Sequence, residues 1–153
     1  MRLSAVSIII SVAFVGLLVV DCARPNYVTS AGLGTIKEDS ITCQSRFASG
    51  KCLSYAWETN PTEEGFASFI FKSFRQNKAD GSPVLEDLTF EPSVVLWMPG
   101  MGHGSSPVTV ERLDIGTYRA SKVSLYMHGQ WEIRFLLKDR NEIKDHATIA
   151  LDF

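Results

Sequence analysis

The sequence predicts an all-β fold, an immunoglobulin-like antiparallel β-sandwich of about seven to eight strands. Three observations predict it. Short runs of chain alternate apolar and polar residues with period two, the mark of strands half buried on a core. Beyond residue 41 no helical period is sustained over three turns. Gly, Asp and Pro recur between the runs at the spacing of antiparallel turns. A chain of 153 residues, 45% hydrophobic and 21% charged, allows one such domain plus an appendage. It also excludes wholesale disorder.

The appendage comes first. Residues 1–21 read as an export signal. Arg2 supplies the positive start, and Ala5 to Val20 is an apolar run broken only by Ser7, Ser11 and Gly16. About 16 residues is short for a spanning helix, which needs roughly 20, and fits a signal-peptide core. The run ends in Val19-Val20-Asp21-Cys22, which resembles a bacterial lipobox, with Asp21 departing from the small residue usual before the cysteine. On this reading Cys22 is lipidated and anchors the protein in the bacterial cell envelope, facing the periplasm. An uncleaved anchor with an incidental cysteine is the alternative. Residues 22–40, in a stretch rich in Gly, Ser, Thr and Pro, form a tether, and residues 41–153 the domain.

Cysteine usage agrees with export. With Cys22 lipidated, Cys43 and Cys52 remain as a pair nine residues apart, with Ser49-Gly50 between them. A disulfide-closed loop or hairpin in an oxidising compartment suits that spacing. The alternative, a cysteine metal or redox site, lacks the Cys-x-x-Cys spacing and a neighbouring histidine.

The strand runs follow in order: Leu53 to Trp57, Phe66 to Phe74, Leu85 to Phe90, Val94 to Trp97, Val108 to Leu113, Thr117 to Met127, Trp131 to Leu137 and Ala147 to Phe153. The clearest sets Val123, Leu125 and Met127 against Ser124, Tyr126 and His128. The next sets Trp131, Ile133, Phe135 and Leu137 against Glu132, Arg134 and Lys138. Gly129-Gln130 between them reads as a tight turn, as do Asp80-Gly81-Ser82-Pro83 and Asp114-Ile115-Gly116.

Charge and motifs narrow the function. Fifteen Lys plus Arg against 17 Asp plus Glu give a net charge of −2. With no basic block, there is no electrostatic reason to hold nucleic acid. Gly-rich phosphate loops, Gly-x-Ser-x-Gly elbows and His-Glu-x-x-His are missing, so the expectation is a protein that is not an enzyme. What stands out is Met98-Pro99-Gly100-Met101-Gly102-His103-Gly104, followed by Met127-His128. Once Met1 is set aside, every remaining methionine and two of the three histidines lie in these two segments.

Thioether sulfur with imidazole is a soft-to-borderline donor set that suits copper, Cu(I) in preference to Cu(II). A thioether neither forms disulfides nor loses a proton, so it remains a ligand in an oxidising compartment. The glycines give a loop without side-chain bulk, free to take positive φ, and Pro99 stiffens its entrance. The bland alternative is a Gly-rich turn with methionines as core filler, Met127 above all, since it shares the apolar face of Val123 and Leu125.

Met-Pro-x-Met-Gly-His-Gly, then Gly116-Thr117-Tyr118, then Met127-His128-Gly129-Gln130-Trp131, resembles the YtkA-like domain over roughly Phe66 to Phe153. The resemblance implies a small exported or membrane-tethered β-sandwich, related in character to FixH proteins, that binds or handles copper. Carried onto these positions, it implies Met101, His103 and Met127 as ligands. Met98 is a weaker candidate that completes the set or packs, and Trp97 beside it could cap the ion. His128, on the opposite strand face from Met127, is a weaker rim or outer group. Trp131 reads as core, and His146 has no role. The resulting expectation is a lipid-anchored protein that buffers or delivers copper to an acceptor such as a respiratory oxidase or another copper carrier. Its rival is an immunoglobulin-like interaction or structural module of the envelope that binds no metal.

Overall fold

The computed structural model describes Val28–Thr29 and residues 41–153. The signal segment 1–21, the lipidation candidate Cys22 and the rest of the tether lie outside the described residues. The described chain is all β: β1 (Val28–Thr29), β2 (Ser45–Arg46), β3 (Cys52–Thr59), β4 (Ala67–Gln76), β5 (Pro83–Leu85), β6 (Glu91–Met98), β7 (His103–Gly104), β8 (Thr109–Asp114), β9 (Thr117–Val123), β10 (Gln130–Asp139) and β11 (Glu142–Asp152). Strands β3, β4, β6, β8, β9, β10 and β11 are the long ones, in keeping with the number expected from the period-two runs.

Two sheets pack face to face. One runs β1-β11-β10-β6-β7, the other β2-β3-β4-β9-β8 with β5 added on β4. Every pairing is antiparallel except that of β1 with β11, where Val28 and Thr29 lie beside Leu151 and Asp152. Alternation makes the core. In β10 Trp131, Ile133, Phe135 and Leu137 are buried, and in β4 Ala67, Phe69 and Phe71 are. Phe135 meets Phe69 and Phe71 across the sandwich at centroid distances of 6.1 and 5.2 Å. Each such side chain contributes about 1.5–3 kcal/mol through burial. The Cys43–Cys52 disulfide is formed, closing the β2–β3 hairpin.

Two expectations are corrected. The run Leu85 to Phe90 is not a strand: β5 stops at Leu85, and residues 86–90 cross from one sheet to the other. Three of their polar groups find partners outside a continuing strand ladder. The Glu86 amide donates to Ser73 O at 3.0 Å, and the Leu88 amide to the Tyr118 hydroxyl at 3.0 Å. The Asp87 carboxylate accepts from the Gly116 amide at 2.8 Å and from Arg112 Nε and Nη2 at 3.0 and 2.8 Å. Similarly, Gly129-Gln130 is not a hairpin turn. Strand β9 ends at Val123, just after Lys122 takes φ 60°, and β10 belongs to the other sheet. Residues 124–129 therefore bridge the sandwich, with Leu125 fully buried as a plug.

This also locates the Gly116-Thr117-Tyr118 motif. Gly116 has φ 60°, and a Cβ there would lie 2.6 Å from Ser73 O and 2.7 Å from Glu86 N. The motif ties the crossing 86–90 to the β8–β9 turn. Arg112 and the Gly116 amide hold the Asp87 carboxyl down at about 2. A recess of about 430 Å³ opens beside this knot, between Leu88, Phe90, Pro92 and Val110, at the start of β6. The methionines gather at the other end of β6.

Candidate metal centre

Strand β6 ends at Met98, and the chain turns at once. Met98 O accepts the amides of Met101 (3.2 Å) and Gly102 (3.0 Å). Gly102 takes φ 68°, a conformation glycine adopts without steric cost. The chain returns as β7, pairing His103 with Met98 and Gly104 with Trp97, and the Ser105 amide donates to Leu96 O at 3.0 Å. The β6–β7 hairpin thus presents Met101 at its tip, 62% exposed. Gly104 packs closely on the neighbouring strand, where an added Cβ would lie 3.0 Å from Leu96 O.

Directly paired residues project side chains to one face, so Met98 and His103 share a face. Met98 is buried in the core, and its Cε reaches the Gly129 backbone, where an added Cβ would stand only 2.8 Å away. Trp97 alternates to the other face, under the Arg134 guanidinium at 4.8 Å from the ring centroid. That is away from the face of Met98 and His103.

The bridge 124–129 comes up against this hairpin. His103 Nδ1 lies 2.9 Å from the Tyr126 hydroxyl, and the two rings are nearly parallel, 10° apart with centroids at 5.9 Å. Ser105 Oγ donates to Ser124 O. Met127 is half-buried against the core, and its carbonyl accepts the Trp131 indole N–H at 2.9 Å. Trp131 is fully buried, as its alternation required, and Tyr126 stands edge-on to it at 5.7 Å. His128 faces elsewhere: its Nε2 lies 2.6 Å from Glu63 Oε1, and its ring stacks on Phe153 at 5.3 Å.

The fold therefore brings the Met98–His103 segment and the Tyr126–Met127 segment to one end of the sandwich. It commits Met98 to packing, and it engages His128 with Glu63 and Phe153. Met127 lies in the bridge rather than in a strand, although its half-burial keeps the alternation seen in sequence. His146 is exposed on β11, with no part in this end of the molecule. Among the described residues no group of three or more His, Cys, Asp and Glu side chains could hold a metal ion. The donors available at this end are thioether and imidazole, a neutral, soft-to-borderline set that fits Cu(I) and does not suit Mg²⁺ or Ca²⁺.

Tyr126 is the residue that sequence reasoning missed. Period two assigns it to the solvent face, and only its contact with His103 gives it a part. Its one sequence signal is its place beside Met127.

Fold and site define a small β-sandwich with a thioether–imidazole rim at one end. The chain belongs to the YtkA-like family, whose model matches residues 56–135. The match starts in β3, earlier than the resemblance in sequence indicated, and ends within β10, so that it contains both Met/His segments. No curated protein and no solved structure is significantly similar to the chain.

Proposed function

We propose that this protein is an exported, lipid-anchored copper-binding protein of the bacterial envelope. On this reading Met101, His103 and Met127 hold the ion, and the protein buffers copper or delivers it to an acceptor such as a respiratory oxidase or another carrier. One observation carries the reading: segments some two dozen residues apart meet at one rim, where His103 bonds Tyr126 beside Met127 and Met101 stands exposed on its hairpin tip. The ion is cargo, and the chemistry is ligand exchange rather than catalysis. A neutral set of few ligands at a rim lets an incoming thioether or thiolate replace its donors one at a time, with no buried charge exposed in passing. Met98 supports the site from below as packing, and His128 lies at its margin. The order of the long strands, β3-β4-β9-β8 against β6-β10-β11, supports an immunoglobulin-like description, since it matches the A-B-E-D and C-F-G order of the constant-type sandwich.

Titration of the purified protein with Cu(I), in competition with a chromogenic chelator, tests the proposal. Wild type is expected to take up one equivalent, with Met101→Ala and His103→Ala each weakening affinity at least about tenfold, in the range seen when support of a metal site is lost. Unchanged affinity in both variants overturns it. The rival reading, an interaction or structural module without metal, draws on Phe66 and Met101, exposed by 66% and 62%. It gains if wild type takes up no copper.

A further inference from the structure

We infer that Tyr126 is a positioning residue that holds His103 in the tautomer with hydrogen on Nδ1, so that Nε2 is the nitrogen offered to an incoming soft metal ion. This rests on the copper reading for its consequence, but the tautomer itself is a property of the metal-free protein.

The surroundings of His103 Nδ1 select the tautomer. Two oxygens face it, the Tyr126 hydroxyl at 2.9 Å and the Gly104 carbonyl at 3.3 Å. A carbonyl oxygen can only accept, whereas a hydroxyl can accept or donate. A hydrogen on Nδ1 satisfies both neighbours. A bare Nδ1 would turn its lone pair towards the carbonyl's lone pairs, which is repulsive. With Nδ1 protonated, the neutral ring carries its free lone pair on Nε2, and metal-binding imidazoles are held in this way, the second ring N–H donated to an oxygen of the protein. The Tyr126 hydroxyl, accepting from His103, keeps its own hydrogen for solvent, because the side chain is 41% exposed.

Tyr126 can do this because it is itself held. Its ring lies parallel to the imidazole and edge-on to Trp131, and Trp131 is fully buried. The same indole donates to Met127 O. One core residue thus sets the orientation of Tyr126 and the backbone position of Met127, and through Tyr126 the ring of His103. The two candidate ligands on different segments are referred to one fixed point.

The test is ¹⁵N NMR of the imidazole nitrogens in the metal-free protein near pH 8. In wild type, hydrogen on Nδ1 of His103 and a bare Nε2 are expected. Tyr126→Phe keeps the ring contacts and removes only the hydroxyl; it should move the population towards the Nε2–H tautomer and weaken Cu(I) binding about tenfold. A far-UV circular dichroism spectrum and a cooperative urea transition like those of wild type show that the variant is folded. Hydrogen on Nε2 in wild type overturns the inference, as does a tautomer ratio that Tyr126→Phe leaves unaltered. If the spectra are as expected but wild type binds no Cu(I), the copper reading fails and the tautomer assignment stands.

Discussion

Gly116→Ala should destabilise this protein far more than alanine at Gly50, Gly81 or Gly102, the positive-φ glycines with open space around them, because two costs coincide at Gly116. The first is conformational. Gly116 sits at φ 60°, where a residue with a Cβ is disfavoured by roughly 1–2 kcal/mol. The second is steric. The new methyl group would stand 2.6 Å from Ser73 O and 2.7 Å from Glu86 N, both backbone atoms that cannot rotate away. Forcing extra volume into a packed site costs about 1–3 kcal/mol. Any shift that relieves the clash loosens the Ser73 amide to Gly116 O bond (2.8 Å) and the Gly116 amide to Asp87 bond (2.8 Å). The expected total is about 2–5 kcal/mol. Gly81 is the internal control: its φ is 72°, and nothing lies within 4 Å of an added Cβ, so Gly81→Ala carries the conformational cost alone. Urea unfolding followed by tryptophan fluorescence measures both. At a slope of about 1–2 kcal/mol per molar, the additional steric cost should make Gly116→Ala unfold at least about 0.5 M below Gly81→Ala with the slope unchanged. Equal midpoints for the two variants would refute the claim that Gly116 is held by close approach.

Reduction of the Cys43–Cys52 disulfide closing a nine-residue span should lower unfolding free energy by about 2.5 kcal/mol on the chain-entropy model; urea midpoints with and without reductant measure it, and coincident curves would contradict it. Asp87, with its carboxyl held at about 2 by Arg112 and Gly116 against about 3.9 unfolded, favours folding fully above about pH 4. That contribution is lost as pH falls towards 2, so the stability gap between wild type and Asp87→Asn should close over this window and stay constant above it. Parallel acid-unfolding curves would count against it. Met98→Leu should change stability by less than about 1.5 kcal/mol, as a volume-conserving core replacement. It should also leave Cu(I) affinity intact, and a lost copper equivalent would return Met98 to the ligand set.

The core was legible wherever alternation ran unbroken: Trp131, Ile133, Phe135 and Leu137 are all buried, and the Cys43/Cys52 spacing announced its disulfide. Alternation failed at Leu85 to Phe90 and at the end of the run Thr117 to Met127. An apolar–polar rhythm describes which side chains face the core. It does not say whether the backbone beside them finds a ladder partner, and at both places the chain is crossing between sheets. In the crossing 86–90 the Glu86 and Leu88 amides and the Asp87 carboxylate are satisfied by Ser73, Tyr118, Arg112 and Gly116, all remote in sequence. The Gly116-Thr117-Tyr118 motif was visible as a pattern, but its work in fastening that crossing was not.

By itself the sequence determined the fold class, most of the strands and the identity of the soft donors, because side-chain chemistry and a two-residue period are local properties of the chain. Only the tertiary structure decided where those donors go. It turned Met98 into the core, drew His128 to Glu63 and Phe153, and set Tyr126 against His103. Such choices depend on sheet pairing between distant segments, and no local pattern encodes which residue will lie opposite another once two sheets have closed on a shared core.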